Sequence, residues 1–161
     1  MTRRFRLGSM LTQALKLDSA AFAPSRFALH GRAEVAVQGR ALRIEAAGPF
    51  NLEFVQAVCR MLDVAAHALP ADRRFVECVA LRHSLLMPPA AFELLRAFSA
   101  RSQRVGYRPQ AMLLVVPAQT EGRDLLLPRL VKLWSPSRPV HVFEASAEAE
   151  LMLSRLLRSW H

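Results

Sequence analysis

At 161 residues, with 52% hydrophobic content, the chain is the size of one domain and holds enough apolar side chains to bury a substantial core. That composition excludes disordered and fibrous classes. The net charge of +9 is nearly all arginine, since Lys16 and Lys132 are the only lysines; an Arg- and Ala-rich chain matches a GC-rich bacterial coding bias, so its basic character does not by itself predict a nucleic-acid partner.

The first 28 residues carry Arg3, Arg4, Arg6, Lys16 and Arg26 against the single acid Asp18. They read as a basic arm outside the main domain, ended near Pro24. Within the arm, Met10, Leu11, Ala14 and Leu15 fall on one side of a short helix over residues 9–17. Gln13, Lys16 and Asp18 interrupt any signal-peptide core, and no run of about 18 uncharged apolar residues exists to form a membrane span. The expected location is the cytoplasm.

Residues 29–161 read as one α/β domain. Val35 and Val37, then Leu42 and Ile44, alternate with other residues around Gly39-Arg40, which predicts a hairpin of strands 32–38 and 40–47. Gly48 and Pro49 stop the second strand. Asn51 is a good N-cap, and Leu52, Val55, Val58, Leu62, Ala65 and Leu69 follow helical spacing up to Pro70.

Phe75 to Leu81 is too apolar for a half-solvated strand and suits a parallel sheet covered on both faces. Pro88 and Pro89 introduce a helix with Phe92, Leu95, Phe98 and Val105, ending near Gly106. Ala111 to Val116 is a second buried strand, and Glu121 to Trp134 is helical in pattern, with Pro128 marking a kink or a delayed start. Val140 to Ala145 is the last strand. Ser146 is the expected cap of a final helix whose Glu148 and Glu150 lie early and whose Arg155 and Arg158 lie late, as the helix dipole favours.

The expected fold is therefore α/β: a mostly parallel sheet of about five strands with an antiparallel N-terminal hairpin and about four helices. This order of elements, together with ALRIEAAGPFN at 41–51 and RFVECVALRHS at 74–84, resembles the STAS superfamily. That is the SpoIIAA-like fold of anti-sigma-factor antagonists and of the cytoplasmic domains of anion transporters. The resemblance covers residues 32–160 and implies a non-enzymatic regulatory module that binds a protein partner or a small ligand. Phospho-regulated members carry an Asp-Ser pair at the helix after the central strand. Here that stretch is Met87, Pro88, Pro89, Ala90, so a kinase-gated switch is not expected there.

In open parallel sheets, ligands bind beyond the C-terminal strand ends, beside helix N-termini with free amides. That edge should gather Asn51, Arg82, His83, Ser84, Thr120, Arg123 and Ser146, a set suited to a phosphate or carboxylate. The competing reading makes Asn51 and Ser146 simple caps and Arg82 and His83 the first solvated residues after a strand. A second expectation is a pocket for an apolar or acyl ligand between helices and sheet, lined by Met61, Met87, Met112, Phe92 and Phe98; ordinary core packing is the competing account of those residues.

No catalytic constellation is legible. Cys78 and His83 lie about 16 Å apart along an extended chain, and Cys59 and His67 about 12 Å apart on a helix. Both cysteines read as small buried hydrophobes in a reducing compartment. Glu77, inside an apolar strand, needs a partner, and an outward or edge-of-core position paired with an arginine is expected. The five histidines show no zinc-ligand spacing. No cofactor and no nucleic acid are expected; the partners open to the chain are a protein, a small molecule or a second copy.

Overall fold

The computed structural model describes residues 14–23 and 28–160. Six strands form one sheet in sequence order: β1 (Leu15–Asp18), β2 (Arg32–Gln38), β3 (Ala41–Ala47), β4 (Val76–Arg82), β5 (Ala111–Val115) and β6 (Val140–Phe143). The first three pair antiparallel, and β3 to β6 pair parallel. Gly39, at φ 58°, occupies the first central position of the two-residue β2–β3 turn, where a side chain would be strained.

Four α-helices complete the described fold: α1 (Leu52–Ala65), α2 (Pro89–Arg104), α3 (Arg123–Trp134) and α4 (Ser146–Arg158). Each parallel crossover advances one strand in the same direction, and right-handed connections then put α1, α2 and α3 on one face. The main core forms there: Leu42, Ile44, Val79, Met112 and Leu114 of the sheet pack against Phe54, Met61, Phe92, Leu126 and Leu130 of the helices. The chain after β6 returns to the opposite face, where Ala149 and Leu153 of α4 cover Ala41, Val76, Leu113 and Val115. Burial of β4 and β5 from both sides explains their near-continuous apolar sequence.

The antiparallel half of that second face is charged. Lys16 meets Glu34 at 3.4 Å, and Arg32 meets Asp18 at 3.1 Å and Glu34 at 3.6 Å. Such exposed pairs contribute little stability, but they keep this half of the sheet solvated.

The expected α/β architecture with an antiparallel N-terminal hairpin and four helices is the one formed, with differences at the margins. Leu15, Lys16 and Leu17, read as the end of a helix in a separate arm, are strand β1 on the edge of the sheet; residues 9–13 of that expected helix lie outside the described residues. The period-2 alternation of Leu15 and Leu17 with Lys16 and Asp18 prevails because the Val35–Val37 strand offers it a free edge. A 3-10 turn (Ser19–Phe22) follows, and the buried Ser19 Oγ accepts the Ala33 amide at 2.9 Å. Helix α3 starts at Arg123 with Gly122 (φ 73°) as N-cap, and Pro128 is accommodated inside it. Ser146 is not a cap: Ala145 holds that position without a side-chain bond, and Ser146 is the first helical residue.

Candidate functional site

The loops at the C-terminal ends of the parallel strands are knitted together. Gly48 N–H donates to the Arg82 carbonyl at 3.1 Å and Phe50 N–H to Leu86 at 2.9 Å, joining the β3–α1 and β4–α2 loops. Leu85 N–H donates to Glu121 at 2.8 Å and Glu121 N–H to His83 at 2.9 Å, joining the β4–α2 and β5–α3 loops. A crevice opens where strand order reverses and neighbouring crossovers leave in opposite directions. The order β3-β4-β5-β6 contains no reversal, and a continuous seam forms instead.

Four of the seven residues expected to bind an anion already have hydrogen-bond partners in or beside these loops. Asn51 Oδ1 accepts from Phe54 at 2.9 Å and His30 at 3.1 Å, while its amide nitrogen donates to Ala28 at 3.0 Å. Ser84 is buried, and its Oγ accepts from Leu86 at 3.2 Å. Thr120 is buried, and its carbonyl accepts from Arg123 N–H at 3.2 Å. Arg123 Nε donates to Val116 at 3.2 Å, and its guanidinium lies 3.8 Å from Glu144. Arg82, His83 and Ser146 are exposed. His83 also takes a φ of 67°, unusual for a non-glycine residue.

A second site lies under the seam, between the sheet and helices α1, α2 and α3. It is a cavity of about 110 Å³. Its floor includes Ile44, Val79 and Met112 of the sheet, and its walls include Val58 and Leu62 from α1, Leu95 and Phe98 from α2, and Leu130 and Trp134 from α3. Met87, Met112 and Phe98 line it as expected; the equally expected Met61 and Phe92 do not, being packed in the core beside it. Across the outer rim, Asp63 of α1 binds Arg101 of α2 through both carboxylate oxygens, at 3.2 and 3.0 Å. The Arg101 guanidinium also sits 5.1 Å from the centroid of the lining ring of Phe98.

The inner end of the cavity is polar. Glu77 points from β4 into the core, and Arg138, from the loop between α3 and β6, donates Nη1–H to its Oε1 at 2.7 Å. Both side chains are only 4% exposed. Tyr107 stands beside this pair, with the Arg138 guanidinium 5.9 Å from its ring centroid. Ser99 and Ser102 of α2 add two buried hydroxyl side chains to the lining. Burial pushes the Glu77 carboxyl above the usual carboxylate range, and the Arg138 charge and Tyr107 hydroxyl draw it partly back. Burial, reinforced by the Glu77 charge, also raises the Tyr107 hydroxyl well above its ordinary value. Arg138 Nε is buried without an acceptor among the described residues.

The expected arginine partner of Glu77 is therefore present, but in the core rather than at its edge. Arg138, Tyr107, Ser99 and Ser102 escape sequence reading. The one available signal is Glu77 itself, because a carboxylate in an apolar strand requires a cation that the sequence does not place.

Neither cysteine is set up as a nucleophile. Burial pushes the Cys59 thiol up to about 12 and the Cys78 thiol to about 11, so both remain protonated near neutrality. Among the described residues no group of three His, Cys, Asp or Glu side chains is arranged to hold a metal ion, and no helix is long and apolar enough to cross a membrane. The chain matches no protein-family model, no curated protein and no solved structure.

Proposed function

We propose that this chain is a non-catalytic binding module for a small ligand with an apolar or acyl body, taken into the cavity between α1, α2, α3 and the sheet. One observation carries the reading: an apolar cavity that ends on a buried polar cluster. Apolar walls supply affinity without direction, and a few convergent polar groups orient what enters. The volume suits a single ring or a short branched chain, being somewhat below the roughly 150 Å³ cavity that accepts benzene.

The polar end restricts the ligand's chemistry. Glu77 and Arg138 already neutralise each other, so a ligand carboxylate would bring an uncompensated charge into a dry site. A neutral end such as a carbonyl or hydroxyl fits, with Tyr107, Ser99 and Ser102 as neighbours.

Native mass spectrometry of the purified protein and saturation-transfer NMR with toluene, indole, isovaleramide and isovalerate test the reading. Binding of a neutral probe, lost in Val58→Phe, which fills the cavity, is the expected result. Signals that are absent for every probe, or that persist in Val58→Phe, overturn it. At a hundredfold excess over Kd, binding adds about 2.7 kcal/mol to stability, so thermal melting provides an independent readout.

A second reading is a STAS-like regulatory module that binds a protein partner or a small anion at the strand ends. It is supported by the exposed Arg82, which has no ion partner among the described residues, and by the left-handed backbone at the adjacent His83. Strained backbone of this kind concentrates at functional turns. Melting at constant ionic strength in phosphate and in chloride, for the native chain and for Arg82→Ala, separates the cases. A phosphate-specific rise abolished by the substitution supports this site, whereas equal shifts in both proteins overturn it. Because Met87-Pro88-Pro89-Ala90 replaces an Asp-Ser pair, incubation with anti-sigma kinases and ATP should leave residues 84–90 unmodified.

A further inference from the structure

Helix α4 covers the second face of the sheet only in part, and among the described residues no element covers its flank toward β6. A groove there runs between Phe143 of β6 and Leu151, Met152 and Leu156 of α4. Leu151 is 62% exposed, unusual for a leucine beside other apolar side chains. Glu148 and Arg155 flank Leu151 and Met152 along the helix and line the same groove. Neither has an ion partner among the described residues, although Arg43 engages Glu150 on the opposite flank of the same helix.

The order of these residues is symmetric about a point between Leu151 and Met152. An antiparallel copy of α4 centred on that point brings Glu148 against Arg155 of the other copy, Arg155 against its Glu148, and Leu151 against its Met152. A two-fold axis requires this kind of self-complementarity, in which one patch satisfies itself twice. Helix spacing supports it, because positions 148, 151, 152 and 155 follow the three- and four-residue steps that share a face.

We propose that a second copy of this chain docks on this flank, with the two α4 helices antiparallel across a two-fold axis. Leu151 of each copy enters the groove floored by the other's Phe143, and two Glu148–Arg155 pairs close its ends. Exposed ion pairs add little affinity but fix register strongly, since like charges brought together are repelled. The apolar stripe therefore supplies the attraction, and the charges set the orientation.

Charge reversal tests the arrangement directly. Analytical ultracentrifugation of the full chain over a concentration series should show a monomer–dimer equilibrium, weakened at least tenfold by Leu151→Glu, by Glu148→Arg and by Arg155→Glu. Each charge variant places like charges together at both ends of its own homodimer. An equimolar mixture of Glu148→Arg and Arg155→Glu chains restores two opposite-charge pairs and should recover the dimer. All three side chains are exposed, so at concentrations where the parent is monomeric each variant should still melt cooperatively, lowered only slightly by the altered charge on the α4 dipole, which excludes unfolding as the cause. A chain that is monomeric at every concentration, a dimer indifferent to these substitutions, or a mixture that fails to reassociate overturns the proposal; in the first case the groove has another occupant.

Discussion

Glu77 and Arg138, 61 residues apart in sequence, form a buried ion pair at 2.7 Å. The pair fastens the loop after α3 to the middle of the sheet. Its net contribution is small, because removing two charges from water costs nearly as much as their attraction returns. Breaking it from one side is a different matter. Arg138→Met should destabilise the fold by about 3–5 kcal/mol, because Glu77 is left buried and unpaired. The double variant Glu77→Leu/Arg138→Met should recover most of that loss. Urea unfolding of the two variants checks this; equal instability of both would show that the cost lies in packing rather than in the orphaned charge.

Two carboxyl groups give stability opposite dependences on pH. Asp72 is held down from its ordinary 3.8 to about 2, chiefly by the Arg40 guanidinium, which donates to both its oxygens at 2.7 and 2.8 Å. Its contribution is present above 3.8 and is lost as the pH falls through the window to about 2. Glu77 is raised above its ordinary 4.5 by burial, so its contribution is full below that value and is lost as the pH rises through the higher folded value. Arg40→Gln should flatten the acid limb of a stability-against-pH profile, and Glu77→Gln should flatten the loss on the rising side. A profile unchanged in shape by either substitution would show that the named pair does not govern that limb.

Periodicity made the parallel half of the fold legible. Strand β4, up to its exposed last residue Arg82, and strand β5 are covered on both faces, so their apolar runs have a single reading, and Asn51 announces α1 because its side chain does the capping. Strand β1 was harder to read. In only four residues, its alternation competes with the helical spacing of Met10, Leu11, Ala14 and Leu15, and the free edge of β2 decides between them. The strand-end residues could be located from sequence, but their hydrogen bonds could not, since a seam between three loops depends on strand order. The cavity was half legible: Met87, Met112 and Phe98 are recognisable as apolar, but apolar residues lining a void and those filling a core are the same residues. Arg138 gives no local sign, because its partner lies on a strand 61 residues away.

The chain before Arg32 contributes to the sheet through a specific bond. Ser19 is buried, and its Oγ accepts the Ala33 amide at 2.9 Å, while Leu15, Leu17 and Phe22 pack against the main core. Ser19→Ala leaves that buried N–H without its acceptor and should cost about 1–3 kcal/mol. Deleting residues 1–28 removes β1 as well, bares the edge of β2 and should lower Tm further than the point variant does. A truncated chain that melts with parental cooperativity and Tm would show that β1 is dispensable and that the domain begins at β2.

Gly48 tests the seam at the strand ends. A Cβ built there collides with the Ser84 carbonyl oxygen and also lies 3.1 Å from two ring atoms of Phe50. The obstructing carbonyl belongs to a backbone that neighbouring residues hold at both sides, through His83 to Glu121 and Leu85 to Glu121, so it has little room to move. Gly48→Ala should therefore displace the β3–α1 loop from the β4–α2 loop and destabilise the protein by about 1–3 kcal/mol, the usual range for overpacking a tight site. The damage should be local at first. Hydrogen exchange should accelerate at the amides of Gly48 and Phe50, whose acceptors are Arg82 and Leu86, while the amides of β4 and β5 keep their protection. Unchanged exchange at those two amides, with unchanged urea stability, would mean that the loops part without cost, and the strand ends would then be open to a ligand after all.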